Sequence, residues 1–163
     1  MYSKDIILNT LGSADHIIKA YIGDLSDAEW MMRPVPGMNP IAWQVGHLIS
    51  VEHKVINELV PGSSPSLPAG FDEMHAKETT TIDDPSKFLK KDEYLKLWDA
   101  QCAATKKALD SLDEAALQKT PADTFGGMCP TVGHKINFMG LHTMMHLGQF
   151  VAVRRKAGKP VVI

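Results

Sequence analysis

Residues 140–150 read "GLHTMMHLGQF" and place two histidines, His142 and His146, four positions apart in a run with no acidic residue and no proline. The surrounding "FMGLHTMMHLGQFVAV" is apolar nearly all round, which predicts a helix running through a bundle rather than over its surface. Four residues of helix correspond to about 40° of rotation and one turn of rise, so both imidazoles can face a common atom. Packing, metal ligation and acid–base chemistry are the three roles open to such a pair. Buried rings need partners, because each carries a donor and an acceptor, and a metal satisfies one nitrogen of each at once. Gly140 and Gly148 flank the pair, each costing the helix about 1 kcal/mol relative to alanine, which suggests that another backbone or a ligand comes close.

Outward from this stretch, the helix opens at Thr131, an N-cap after Pro130, and runs to about Ala157, where Gly158 and Pro160 stop it. Three more segments carry helical periodicity. The first runs from about Ser3 to Leu25, with Ile7, Leu11, Ala14, Ile18, Tyr21 and Ile22 forming one apolar stripe. "RPVPGMNP" breaks the chain, and Asn39-Pro40 restarts it as cap and first helical residue of a helix reaching Leu59. Residues 60–86 form a long connection, a length that in compact domains is usually functional or disordered. Asp84-Pro85 repeats the cap-plus-proline signal. The next helix covers about 92–112, with Leu95, Trp98, Cys102, Thr105 and Leu109 on one side. An irregular connection with room for one helical turn leads to Thr131. With no strand-like alternation and no repeat, the expected architecture is an all-α four-helix bundle in one domain, residues 1–163.

Bulk composition is that of an ordinary globular protein, with 44% hydrophobic and 22% charged residues among 163. A net charge of −2 gives no reason to expect a nucleic-acid or anionic-membrane surface. Arg154, Arg155 and Lys156 are read as basic residues at the negative end of a helix dipole. Cys102 and Cys129 are too far apart in kind and position for a disulfide framework, so reduced thiols and a cytoplasmic location are expected. Neither a signal peptide nor a transmembrane span is recognisable.

A facial metal site needs a third ligand from another helix, and His47 in "AWQVGHLISVEH" is the best placed. His53, six residues on and about 240° around the helix, is expected to be solvated beside Glu52 and Lys54. His16 is expected as a hydrogen-bonded core residue, His75 as an exposed loop residue, and His134 at the rim. Glu52 is expected at the surface, Trp43 in core packing, and Met139, Met144 and Met145 as core filling. Gln149 either orients a ring from behind the ligands or packs beside Gly148.

"NPIAWQVGHLISVEH" followed by "HTMMHLGQF" resembles the DinB-like (DinB/YfiT-like) superfamily of metalloenzymes, over nearly the whole chain. The resemblance implies an up-down-down-up bundle, metal ligation by His47, His142 and His146, and pairing as a homodimer. Members with an assigned activity are thiol-dependent transferases and isomerases, so it further implies a divalent metal, a low-molecular-weight thiol and a small-molecule substrate. Three imidazoles suit zinc or nickel and leave open positions for water or substrate. A thiol or water activated there for transfer to an electrophile is the expected chemistry. The competing expectations are a non-catalytic metal-binding or stress-associated protein, and a bundle with three satisfied histidines and no metal.

Overall fold

The computed structural model describes residues 2–162. Among them the regular structure is helical: α1 (Tyr2–Ile22), α2 (Asp27–Trp30), α3 (Ile41–Leu59), α4 (Phe71–Met74), α5 (Lys91–Ser111), α6 (Glu114–Leu117) and α7 (Val132–Lys156), with 3-10 turns at Lys77–Thr79 and Pro85–Lys87. The four long helices fall where the apolar periodicity places them. Their ends obey local chemistry. Thr131 accepts a hydrogen bond from the His134 N–H to open α7, and Gly158, at φ +72°, turns the chain out of it. Asp113 caps α6 and Asp84 caps the 85–87 turn in the same way.

At α3 the expected cap shifts by one residue. Pro40 is the N-cap, without a side-chain hydrogen bond, and Asn39 contributes its backbone carbonyl instead, to the Gln44 side chain at 2.7 Å. Proline has no N–H and its predecessor is pushed to extended backbone, so Asn39 stands outside the helix.

Paired contacts fix the relative directions. Ile7 meets Val132 and Ile136 near one end while Tyr21 and Asp24 meet Arg154 at the other, so α1 and α7 run the same way. Gln44 meets His146 whereas Glu58 meets Lys135, so α3 opposes α7. Lys4 reaches the Asp110 carbonyl and Asp15 takes the Trp98 N–H, so α5 opposes α1. The main core gathers Ile18, Ile22, Trp30, Ile41, Val45, Ile49, Tyr94, Trp98 and Phe150, and a second cluster joins Ile7, Ile56, Leu109 and Ile136. Each of these fully buried aliphatic or aromatic side chains contributes about 1.5–3 kcal/mol.

Gly140 explains the tight α1–α7 seam, since a Cβ there would lie 2.9 Å from Thr10 Cγ2 and 3.2 Å from the Thr10 carbonyl oxygen. Gly148 faces open space and serves no such approach. Arg154 departs from the dipole reading. It is buried, donates to the Tyr21 carbonyl and pairs with Asp24, satisfying the end of α1. Lys135 is likewise buried, bonded to Glu58 with its ammonium 4.9 Å from the Phe125 ring centroid.

The 60–86 connection is largely ordered against α3 and α5. Phe71 and His75 are buried, and His75 stands in the core rather than in solvent. Its Nδ1–H donates to the Phe71 carbonyl at 2.7 Å, and its Nε2 accepts from Tyr94 Oη at 2.7 Å. The ring lies on Gly46, where any Cβ would come within 2.2 Å of it. Burial pushes the His75 pKa down to about 4 and keeps the ring neutral, consistent with one donating and one accepting nitrogen.

Candidate metal centre

His142 and His146 rise from α7 one turn apart, with Nε2 atoms 3.2 Å from each other. His47 comes from α3, its ring centroid 5.5 Å from His142 and 5.6 Å from His146. One ring nitrogen from each of the three lies within 4.8 Å of the others, so the three residues could hold a metal ion. Two nitrogens each about 2.1 Å from one ion stand about 3.0–3.4 Å apart, from octahedral to tetrahedral angles. The His142–His146 separation falls inside that interval, and the donor set fits a borderline divalent ion.

Hydrogen bonds behind the rings fix which nitrogen is free. A carbonyl can only accept, so His47 Nδ1 carries the proton it gives to the His75 carbonyl at 3.1 Å. Its Nε2 therefore keeps its lone pair. Gln44 Nε2 is spent on the Asn39 carbonyl, which turns Gln44 Oε1 toward His146 Nδ1 at 2.8 Å. His146 Nδ1 must donate, and its Nε2 keeps the lone pair that faces His142. Such partners behind a ligating ring set its tautomer and orientation.

Electrostatics keep all three rings neutral. Desolvation lowers the His47 pKa. Desolvation, with His47 adding to it, brings His142 to about 4. Desolvation with the two neighbouring rings brings His146 to about 3. At pH 7 each ring offers a lone pair. Trp43 stacks on His47 at 4.9 Å between centroids and 9° between planes, while its indole N–H donates to Thr79 Oγ1 at 2.9 Å. Trp43 is buried as expected, and it also forms one wall behind His47. Phe138 lies parallel to His142 at 6.0 Å.

The chain belongs to the DinB superfamily. The sequence model of that superfamily matches residues 13–150, which include all three histidines. A solved structure described as a conserved protein from Enterococcus faecalis is similar in fold, with a TM-score of 0.70 at 20% identity over 95% of this chain and 97% of that one. No curated protein matches.

Within this DinB-superfamily fold the other expected residues sort differently. The hydrogen bond to a ligand-type ring comes from Gln44 and not from Gln149, which is half-buried on α7. A polar residue three positions before His47 in an otherwise apolar stretch was the available signal for Gln44. His16 is exposed instead of buried, because the inward face of α1 passes through Ala14 and Ile18. His134 is exposed at the start of α7 beside its cap Thr131. His53 is half-buried, accepting from Asn57 Nδ2 at Nε2, with Nδ1 enclosed and unpartnered. Glu52 is buried, not solvated, because it falls on the same face as Ile49 and Ile56. Met139 fills core as expected, but Met144 and Met145 are 39% and 64% exposed.

Proposed function

We propose that His47, His142 and His146 bind one divalent ion, zinc or nickel, and that the protein is an enzyme activating a thiol or water for transfer to an electrophilic small molecule. The observation that carries this reading is the convergence of three neutral imidazoles, two with Nδ1–H held from behind so that Nε2 faces the common point. Three nitrogen ligands leave coordination positions open, as in catalytic rather than structural sites. An ion held there would lower the pKa of a thiol or water that reached it, placing more of the anion at neutral pH.

The chain's own residues supply orientation. Gln44 and the His75 carbonyl hold two rings, and Trp43 backs the third-helix ligand, which limits how far the nitrogens can splay. No carboxylate belongs to the trio, so the site carries the ion's charge unneutralised and favours an anionic ligand such as a thiolate. The exposed Leu141, Met144 and Met145, spaced three and four apart on α7, support assembly as a homodimer through that face. Two free cysteines support a reducing, cytoplasmic setting, and no described helix is long and apolar enough to cross a membrane.

The test pairs elemental analysis of untagged protein with a conjugation screen across several low-molecular-weight thiols. Stoichiometric metal that is lost in His146→Ala, with thiol conjugation following metal content, is the expected result. Metal bound with no turnover by any thiol or by water would overturn the enzyme reading. Metal retained by His146→Ala would overturn the site.

A further inference from the structure

Away from the three histidines, the four long helices form a half-open cavity of about 400 Å³, lined by residues of α1, α3, α5 and α7 and by none of the trio. That volume lies in the range of small-molecule sites, which in bundles sit between helices. Its walls include Leu8, Leu11, Ala14 and Trp98, and Glu52 reaches it from α3. Glu52 is 6% exposed. Its Oε1 accepts from Thr105 Oγ1, whose own oxygen accepts from Gln101 Nε2. Among the described residues no hydrogen bond reaches Oε2, and Glu52 is one of the residues that line the cavity.

A buried carboxylate is ordinarily paired with a cation, because desolvating a lone charge is costly. Of the two lysines in the lining, Lys19 is committed to other carboxylates and Lys106 forms no ion pair with Glu52. Lys19 bonds Asp15 at 2.9 Å and Asp99 at 2.6 Å at the cavity wall, and Asp15 also takes the Trp98 indole N–H. Glu52 forms no ion pair among the described residues. The lining carries three carboxyls, Asp15, Glu52 and Asp99, against two ammonium groups, Lys19 and Lys106. A cationic head therefore gains what an anionic one loses, and the apolar walls suit a hydrocarbon body.

We propose that this cavity is a second ligand site, which binds a small amphipathic amine with its ammonium on Glu52 Oε2 and its apolar body against Trp98, Leu8, Leu11 and Ala14. Burial, partly offset by the Thr105 hydrogen bond and reinforced by Asp15, raises the Glu52 pKa to about 7. Cys102, in the same wall, has its thiol pushed up by burial and by the Glu52 and Asp15 charges, and so stays protonated and inert. An arriving ammonium pairs with the carboxylate form of Glu52, and the fraction of the acid still protonated releases its proton to solvent on binding.

The site stands independently of any metal, and its test uses none. Calorimetric titration of the full chain with phenethylamine and n-hexylamine is compared with 2-phenylethanol, n-hexanol, phenylacetate and hexanoate. Amines are expected to bind at least about tenfold more tightly than the matched alcohols, with the carboxylates weakest. Glu52→Gln keeps the Thr105 hydrogen bond and should weaken the amines by about tenfold while barely changing the alcohols. Gly12→Leu provides a second variant. A Cβ at Gly12 meets nothing within 4 Å, so the side chain enters open space at the wall and should block every ligand. No amine binding at up to about 10 mM, alcohols equal to amines, or amine affinity unchanged in Glu52→Gln would each overturn the proposal.

Discussion

Replacing Glu52 by glutamine should change how stability depends on pH more than it changes stability itself. The carboxyl ionises near pH 4.5 in an unfolded chain and at about 7 in the fold. Below pH 4.5 it is protonated in both states and contributes nothing to the slope. Between pH 4.5 and 7 the unfolded chain releases the proton while the folded one keeps it, so stability falls as pH rises. Above 7 both forms are ionised and the loss levels off at about 3 kcal/mol. Glutamine cannot ionise, yet its Oε1 can still accept from Thr105. The stability of Glu52→Gln minus that of the wild type should therefore climb by about 3 kcal/mol from pH 4.5 to 8. Other groups titrate in the same window, namely His142, His146 and, on the 60–86 connection, His75. Its depressed pKa of about 4 gives stability that is complete above pH 6.5 and lost as pH falls toward 4. That contribution is common to both proteins and cancels in the difference. Urea denaturation at a series of pH values, in amine-free buffer, measures it. A difference that stays flat from pH 4.5 to 8 would refute the reasoning, because it would mean that Glu52 ionises alike in both states.

Gly46→Ala should be more damaging than an alanine within a helix normally is. The added Cβ would lie 2.2 Å from the His75 ring, so the ring must leave and the 60–86 connection must shift; about 1–3 kcal/mol of destabilisation is expected, with raised amide exchange across residues 70–80. A helix-propensity gain with unchanged exchange would contradict that placement. Sedimentation equilibrium at micromolar concentration should give a dimer mass, reduced to monomer by Leu141→Glu with Met145→Lys, since both residues stand in the exposed apolar stripe of α7. Monomer mass for the unaltered chain would remove that assembly.

The long helices were legible because periodicity reports burial directly. Ile7, Ala14, Ile18 and Ile22 recur as a stripe and are buried as one. The His142–His146 pair was legible because i, i+4 spacing is a property of the helix itself. What escaped depends on contacts between segments distant in sequence. Nothing local in "FDEMHAKETT" says that His75 will meet Tyr94 and lend its carbonyl to His47, nineteen and twenty-eight positions away. Glu52 was misread because a carboxylate carries a strong prior for the surface, although Ile49 and Ile56 already marked its face as inward. Gln149 attracted attention by lying next to the motif. Gln44, on another helix, is the residue that reaches His146. The apolar character of α7 was real, but Leu141, Met144 and Met145 lie on its exposed side and not in the core.

The imidazole of His75 occupies the space that Gly46 leaves by lacking a side chain. The two positions are thus one steric unit, and they cannot drift apart freely during descent. A relative with alanine or anything larger at the position of Gly46 must carry a small or re-aimed residue at the position of His75, and its 60–86 segment must seat differently over the ligand-bearing helix. Paired replacement at these two positions, with glycine and histidine kept or lost together, is the covariation an aligned set of DinB-superfamily sequences sharing this connection should display.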